Sequence, residues 1–197
     1  YNGFIWYSES EVTDRMERFT NGQGTTTGWR YTTTDDTIEG YDANGRLISI
    51  TSRVGFTQTL DYAVTSANGG DDNSNTLDKV TDHFGRTLRF TYANGRVATL
   101  TDPAGEVYHY AYDANGNLES VTYPDETPTD PNDNPQRIYH YEDLNFTNAL
   151  TGITDETGNR FATWGYDAQG RATSSEHAGG AEHVGVVYNA DGTSTVT

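Results

Sequence analysis

The chain has no cysteine among its 197 residues, so no disulfide frame and no thiolate metal site can hold it together. Basic residues are scarce as well: 12 Lys and Arg stand against 29 Asp and Glu, a formal charge of −17. That balance repels nucleic acid phosphates, anionic lipid and sulfated glycans, and leaves neutral sugars and proteins as partners. No apolar run approaches the ~20 residues of a membrane span, which argues against membrane insertion. Tyr1 begins in mid-pattern without a signal peptide, and the chain reads as an internal piece of something longer. Leu, Ile, Val and Phe supply only 32 residues, a proportion otherwise typical of disordered chains.

What the chain does have is tyrosine, and it is placed periodically. Fourteen Tyr, seven Phe and three Trp provide much of the buriable surface. Tyr41-Asp42-Ala43-Asn44-Gly45-Arg46-Leu47 recurs as Tyr92-Ala93-Asn94-Gly95-Arg96-Val97. It returns as Tyr112-Asp113-Ala114-Asn115-Gly116-Asn117-Leu118 and as Tyr166-Asp167-Ala168-Gln169-Gly170-Arg171. A period near twenty residues marks a chain built by stacking one supersecondary unit, with function carried by an extended surface. Two acidic insertions, 64–79 and 124–136, lengthen the period and read as surface loops.

Two kinds of turn alternate in this reading. Asn44-Gly45, Asn94-Gly95 and Asn115-Gly116 predict two-residue type I′ hairpins, while Thr81 to Gly85, Thr101 to Gly105 and Thr154 to Gly158 predict looser turns ending in glycine. Stepping back in twos from the closing tyrosines gives Tyr62/Leu60, Tyr92/Phe90/Leu88, Tyr112/Tyr110/Tyr108, Tyr166/Trp164/Ala162 and Tyr188/Val186/Val184. One apolar and one polar face follow. After the turns, Leu47 and Ile50, Val97 and Leu100, and Leu118 and Val121 are spaced by three, which a bulge would reconcile. The predicted fold is all-β: tandem hairpins in a curved, spiralling antiparallel sheet of about ten to fourteen strands, a strip roughly 50–65 Å across. Residues 1–28 are less regular and also β; a helical turn within 8–19 competes with strand there.

The Tyr-Asp motifs, together with the fuller unit from Gly95 to Asp113, resemble the YD repeats of the Rhs family over about residues 29–197. In residues 1–28 only Phe19-Thr20-Asn21-Gly22 is similar to the pattern. The resemblance implies a segment of the hollow β-shell found in bacterial Rhs proteins, in shell-forming components of insecticidal toxin complexes and in teneurins. It further implies a secreted or cell-surface protein whose shell encloses or presents another domain, such as a C-terminal toxin. In the toxin relatives, the resemblance further implies, the shell closes with a segment carrying an Asp-Pro-x-Gly-Leu motif where an aspartate drives autoproteolysis. The nearest match here, Asp102-Pro103-Ala104-Gly105, is followed by Glu106 and sits inside an ordinary repeat, so the protease activity does not carry over.

No catalytic residue, cofactor or metal site is expected from the residues. Paired carboxylates at Asp35-Asp36, Asp71-Asp72 and Asp125-Glu126 lie in turn-rich segments and read as solvated loop charge. Asp71, Asp72 and Asn73, and Asp130 and Asp133, offer oxygen ligands at short spacing but lack the glycine and glutamate of a calcium loop. His177 and His183, with Glu182 adjacent, suit a metal only if a hairpin joins them. Tyr108, Tyr110, Tyr112, Trp164 and Tyr166 admit two uses: a platform on which the apolar faces of a neutral carbohydrate stack, or packing between neighbouring hairpins. Packing has the stronger claim, because stacked repeats need large side chains to fill the space between them.

Overall fold

The computed structural model describes residues 5–7, 13–63, 75–125, 127 and 133–197. Among the described residues it is all-β, with seventeen strands and a single 3₁₀ turn at Ala178–Gly180. The chain divides into two compact units, Tyr1–Gly105 and Glu106–Thr197. The first contains β1 (Ile5–Tyr7), β2 (Arg15–Thr20), β3 (Thr26–Thr32), β4 (Ile38–Asp42), β5 (Leu47–Thr51), β6 (Thr57–Tyr62), β7 (Leu77–Thr81), β8 (Thr87–Ala93) and β9 (Arg96–Thr101). Each strand pairs antiparallel with the next.

The second unit contains β10 (Val107–Tyr112), β11 (Leu118–Thr122), β12 (Gln136–His140), β13 (Gly152–Thr154), β14 (Arg160–Tyr166), β15 (Ala172–His177), β16 (Ala181–Tyr188) and β17 (Ser194–Val196), again a meander. The strands outnumber the ten to fourteen expected because they run only three to eight residues and most connections are tight. The described part of 8–19 holds β2, with no helical turn, and residues 77–79 of the expected insertion are the start of β7.

The period-of-two reading fits the ladders. On one face of the first unit Tyr41 lies opposite Leu47, Leu60 opposite Val80, Tyr62 opposite Leu77 and Phe90 opposite Leu100. The other face carries threonines in register: Thr51 with Thr57, Thr59 with Thr81, Thr81 with Thr87, Thr91 with Thr99. Two of these pairs share a hydrogen bond between hydroxyls, at 3.0 Å and 2.7 Å. Cross-strand pairs of this kind contribute about 0.2–1 kcal/mol each.

The core is thin. Val121 and Ala162 are the buried hydrophobic residues among those described, and no large side chain there is fully buried. The tyrosines and tryptophans described on the apolar face are half-buried. A sheet with so little apolar burial must draw its order from its hydrogen bonds, and the repeat motif supplies these.

Candidate functional site

The motif acts first at the turns. Asp42 N–H donates to the Arg46 carbonyl at 2.9 Å, Gly45 N–H donates to the Asp42 carbonyl at 3.1 Å, and Gly45 has φ +82°. That is a three-residue loop, a type I turn followed by a left-handed glycine. The Asp42 carboxylate accepts N–H bonds from Asn44 and Arg46, and its second oxygen holds the Arg46 guanidinium at 2.7 Å. Asp82, Asp113, Asp155 and Asp167 each repeat this geometry with the N–H groups two and four residues on. Asn21 does the same with a side-chain amide oxygen, and Ser52 caps its loop with a single bond from Phe56 N–H.

Except at Asn94-Gly95, the two turn classes expected from sequence are therefore one. Type I′ geometry is absent at Asn44-Gly45 and Asn115-Gly116, where asparagine does not take positive φ, and occurs at Asn94-Gly95 with φ +52° and +74°. Tyr92-Ala93-Asn94-Gly95-Arg96 is one residue shorter, so Ala93 pairs directly with Arg96 and only two residues remain for the loop. The aspartate supplies both the extra residue and the acceptor for the loop's N–H groups.

After the connections into β5, β7, β9, β11 and β15 the register slips by one, whereas the turns at 33–37, 52–56 and 82–86 are followed by unbroken register. Pairing skips Ile48, Asp78, Ala98, Glu119 and Thr173, the second residue of β5, β7 and β11, the third of β9 and the second of β15. This is the bulge that the spacing of three predicted, and it returns Leu47 and Ile50 to one face. A bulge disrupts the ladder locally. There the tyrosine of the following repeat intervenes: the Tyr62 hydroxyl donates to the Leu47 carbonyl at 2.8 Å, Tyr92 to Leu77 at 2.9 Å and Tyr188 to Ala172 at 2.9 Å. Tyr166 donates in the same way to the Leu150 carbonyl at 2.8 Å. Tyr62 itself lies opposite Leu77, to which Tyr92 reaches, so the clamps run in series. The turn arginine joins in, with Arg46 over the Tyr62 ring at 5.2 Å and Arg171 over Tyr188 at 4.0 Å. Asp42 and Asp167 hold those guanidiniums in place.

The turn carboxylates are acidified by these contacts. Asp42 is held below the ordinary carboxylate range chiefly by the Arg46 N–H, Asp113 by the Asn117 amide, Asp155 by the Thr157 hydroxyl and Asp167 by the Arg171 guanidinium. Tyr41 shifts the other way, pushed up to about 12 by its hydrogen bond to Glu39 at 2.5 Å.

Register places all five residues of the suggested carbohydrate platform on one face of the second unit, but not side by side. Tyr108, Tyr110 and Tyr112 stand on β10, Trp164 and Tyr166 on β14, with β11, β12 and β13 between. Tyr108 packs edge-on to Tyr123 at 5.8 Å, and Tyr110 lies opposite the buried Val121. The Tyr166 hydroxyl is taken by Leu150. Asp71, Asp72, Asn73 and Asp130 lie outside the described residues, and Asp133 accepts from the Thr127 hydroxyl at 3.1 Å. Across the β15–β16 hairpin Glu182 lies 3.5 Å from His177, and among the described residues no group of three His, Asp or Glu comes together there.

One polar cluster was missed by sequence reasoning. His140 Nε2 lies 2.7 Å from Thr154 Oγ1, and its Nδ1 lies 3.8 Å from Glu142. Glu142 accepts from Arg160 at 2.9 Å and from the Thr151 hydroxyl at 3.0 Å. Burial, then Arg160, lowers the His140 pKa, while Arg160 lowers that of Glu142. The hydroxyl–imidazole–carboxylate order is that of an activated nucleophile, yet Glu142 is spent on Arg160 and its 3.8 Å approach is too long to orient the ring. The guanidinium fills the space over Gly152, where a Cβ would meet it at 2.1–2.3 Å. The cluster pins the 141–151 connection to the sheet, and Gly152 was its only signal in the sequence.

With these turns and clamps in place, the family comparison is direct: the RHS Repeat family model matches residues 71–107 and 93–128. Residues 71–128 are thus matched as RHS repeats. The repeats' fold is shared with two solved toxin assemblies. A Photorhabdus luminescens Tc holotoxin pore carrying a mutation in TccC3 is 15% identical with a TM-score of 0.51, covering 93% of this chain and 11% of the other. The TcdB2-TccC3-Cdc42 crystal structure is 13% identical with a TM-score of 0.50, covering 93% and 12%. The chain thus spans about a ninth of the length of the solved chains it matches. None of the curated proteins matches it.

Proposed function

We propose that the RHS repeats form a stretch of wall in a larger secreted or cell-surface protein, enclosing or presenting another domain such as a C-terminal toxin. The work is mechanical, not catalytic. The observation that carries this reading is the use of the motif itself: tyrosine, aspartate and arginine are spent on the next turn or the next repeat, which holds a thin sheet in order without a deep core. The likeness of fold to Tc toxin assemblies supports it. Carbohydrate binding by Tyr108, Tyr110, Tyr112, Trp164 and Tyr166 is the weaker reading, since packing and hydrogen bonding already engage that face.

Electron cryomicroscopy of the complete protein tests the proposal. The expected result is a β-walled chamber with these repeats in its wall and density for a second domain within or against it. A solid globular body, or an extended rod of repeats with nothing enclosed or carried, would overturn it.

A further inference from the structure

Three hairpin tips on the same side of the first unit, 33–37, 52–56 and 82–86, border a groove of about 370 Å³ lined by Ile50, Phe56, Gln58, His83 and Phe84. We propose that this groove docks a polypeptide segment presenting an aromatic or branched apolar side chain beside a lysine or arginine. The proposal is independent of the wall reading.

The tips depart from the repeat chemistry at this place. At most other tips the residues flanking the turn glycine are polar, as in Asn44 and Arg46, Thr157 and Asn159, and Gln169 and Arg171, and the exception, Ala104 before Gly105, is small. Here they are Val54 and Phe56 around Gly55, and Phe84 before Gly85. Val54 is 74% exposed, Phe84 70% and Phe56 51%. Phe56 stacks on His83 at 4.7 Å and meets Phe84 edge-on at 5.7 Å, so adjacent tips share one aromatic cluster. Large aromatics left in water cost apolar burial that a bound partner recovers.

The polar lining selects the class of occupant. Ser52 accepts from Phe56 N–H at 3.2 Å, the Thr57 hydroxyl pairs with that of Thr51 at 3.0 Å, and Asp82 and Arg86 are bound to each other at 2.6 Å. Among the described lining residues the Gln58 amide and the His83 imidazole nitrogens have no hydrogen-bond partner, too few free groups for a sugar's hydroxyls and enough for one peptide bond. Charge selects further. Both guanidiniums at these tips are already paired, Arg53 with Asp36 at 3.5 Å and Arg86 with Asp82. Asp35 accepts from the Thr33 and Thr37 hydroxyls and from backbone N–H groups of its own loop, and is left without a cation, in a chain of net charge −17. A basic residue next to the anchor completes that pair.

Selection of a randomised display-peptide library on the full chain, with binding of the enriched peptides measured on variants, tests this. The expected peptides carry an apolar anchor beside Lys or Arg. They bind Phe56→Ser/Phe84→Ser roughly ten-fold or more weakly, as loss of a hot-spot aromatic predicts. They also bind Asp35→Asn/Asp36→Asn more weakly, with a reduced salt dependence. Circular dichroism confirms that each variant is folded; if the serine variant is not, the asparagine variant and protection of Phe56 and Phe84 resonances decide. Failure to enrich any peptide, equal binding to the variants, or displacement by a neutral sugar overturns the proposal. So does concentration-dependent self-association abolished by Phe56→Ser/Phe84→Ser, which would assign the groove to a second copy.

Discussion

Residues 41–46 and 92–96 differ by one aspartate, and the two hairpins they close turn the chain in different ways. With Asp42, the loop has three residues, one left-handed glycine and a carboxylate that gathers two N–H groups and a guanidinium. Without it, Asn94 and Gly95 both take positive φ and the strand ends pair directly. Both loops are followed by a slip in register and set an aliphatic residue opposite the tyrosine, Leu47 against Tyr41 and Val97 against Tyr92. The lesson is that the bulge and the tyrosine belong to the fold, whereas the aspartate belongs to one of two ways of turning the chain.

Acid separates the two turns most sharply. Asp42, Asp113, Asp155 and Asp167 have folded pKa values below their unfolded ones, so the stability they lend is present above the unfolded value of about 4 and is lost as pH falls through the folded values. The expected outcome is cooperative acid unfolding, with amide exchange opening the aspartate tips first while the Asn94-Gly95 tip stays protected. Equal loss of protection at all tips would break the distinction.

The shared part of the comparison is sharpened at the clamp. Tyr166→Ala should cost about 2–3 kcal/mol, less than for a fully buried aromatic because Tyr166 is half-buried. Tyr166→Phe should cost about 1 kcal/mol through the unpaired Leu150 carbonyl, both read by denaturant unfolding. Asparagine distinguishes the turns next: Asn94→Ala should lose about 1 kcal/mol to left-handed backbone, Asn94→Gly should restore it, and Asn44→Ala should stay within about 0.5 kcal/mol. The smallest effect is expected from inserting an aspartate between Tyr92 and Ala93. The loop should convert to the three-residue form with a change below about 1 kcal/mol, visible as loss of positive φ at Asn94 in residue-specific couplings.

Composition and period determined the all-β class, the strand faces and the bulges, because alternation and turn residues are local properties that the chain carries wherever it folds. Leu47 and Ile50 could be placed on one face from spacing alone. The turn type at Asn44 was misread because a dipeptide does not disclose that the preceding aspartate will act as a loop acceptor. Tertiary structure alone decided the rest. Tyr62 reaching Leu47, Arg160 settling over Gly152, and Phe56 stacking on His83 join residues that lie 8 to 27 positions apart or stand on different tips. Such partners are set by register and by where a bulge frees a carbonyl, and register exists only once the strands have paired.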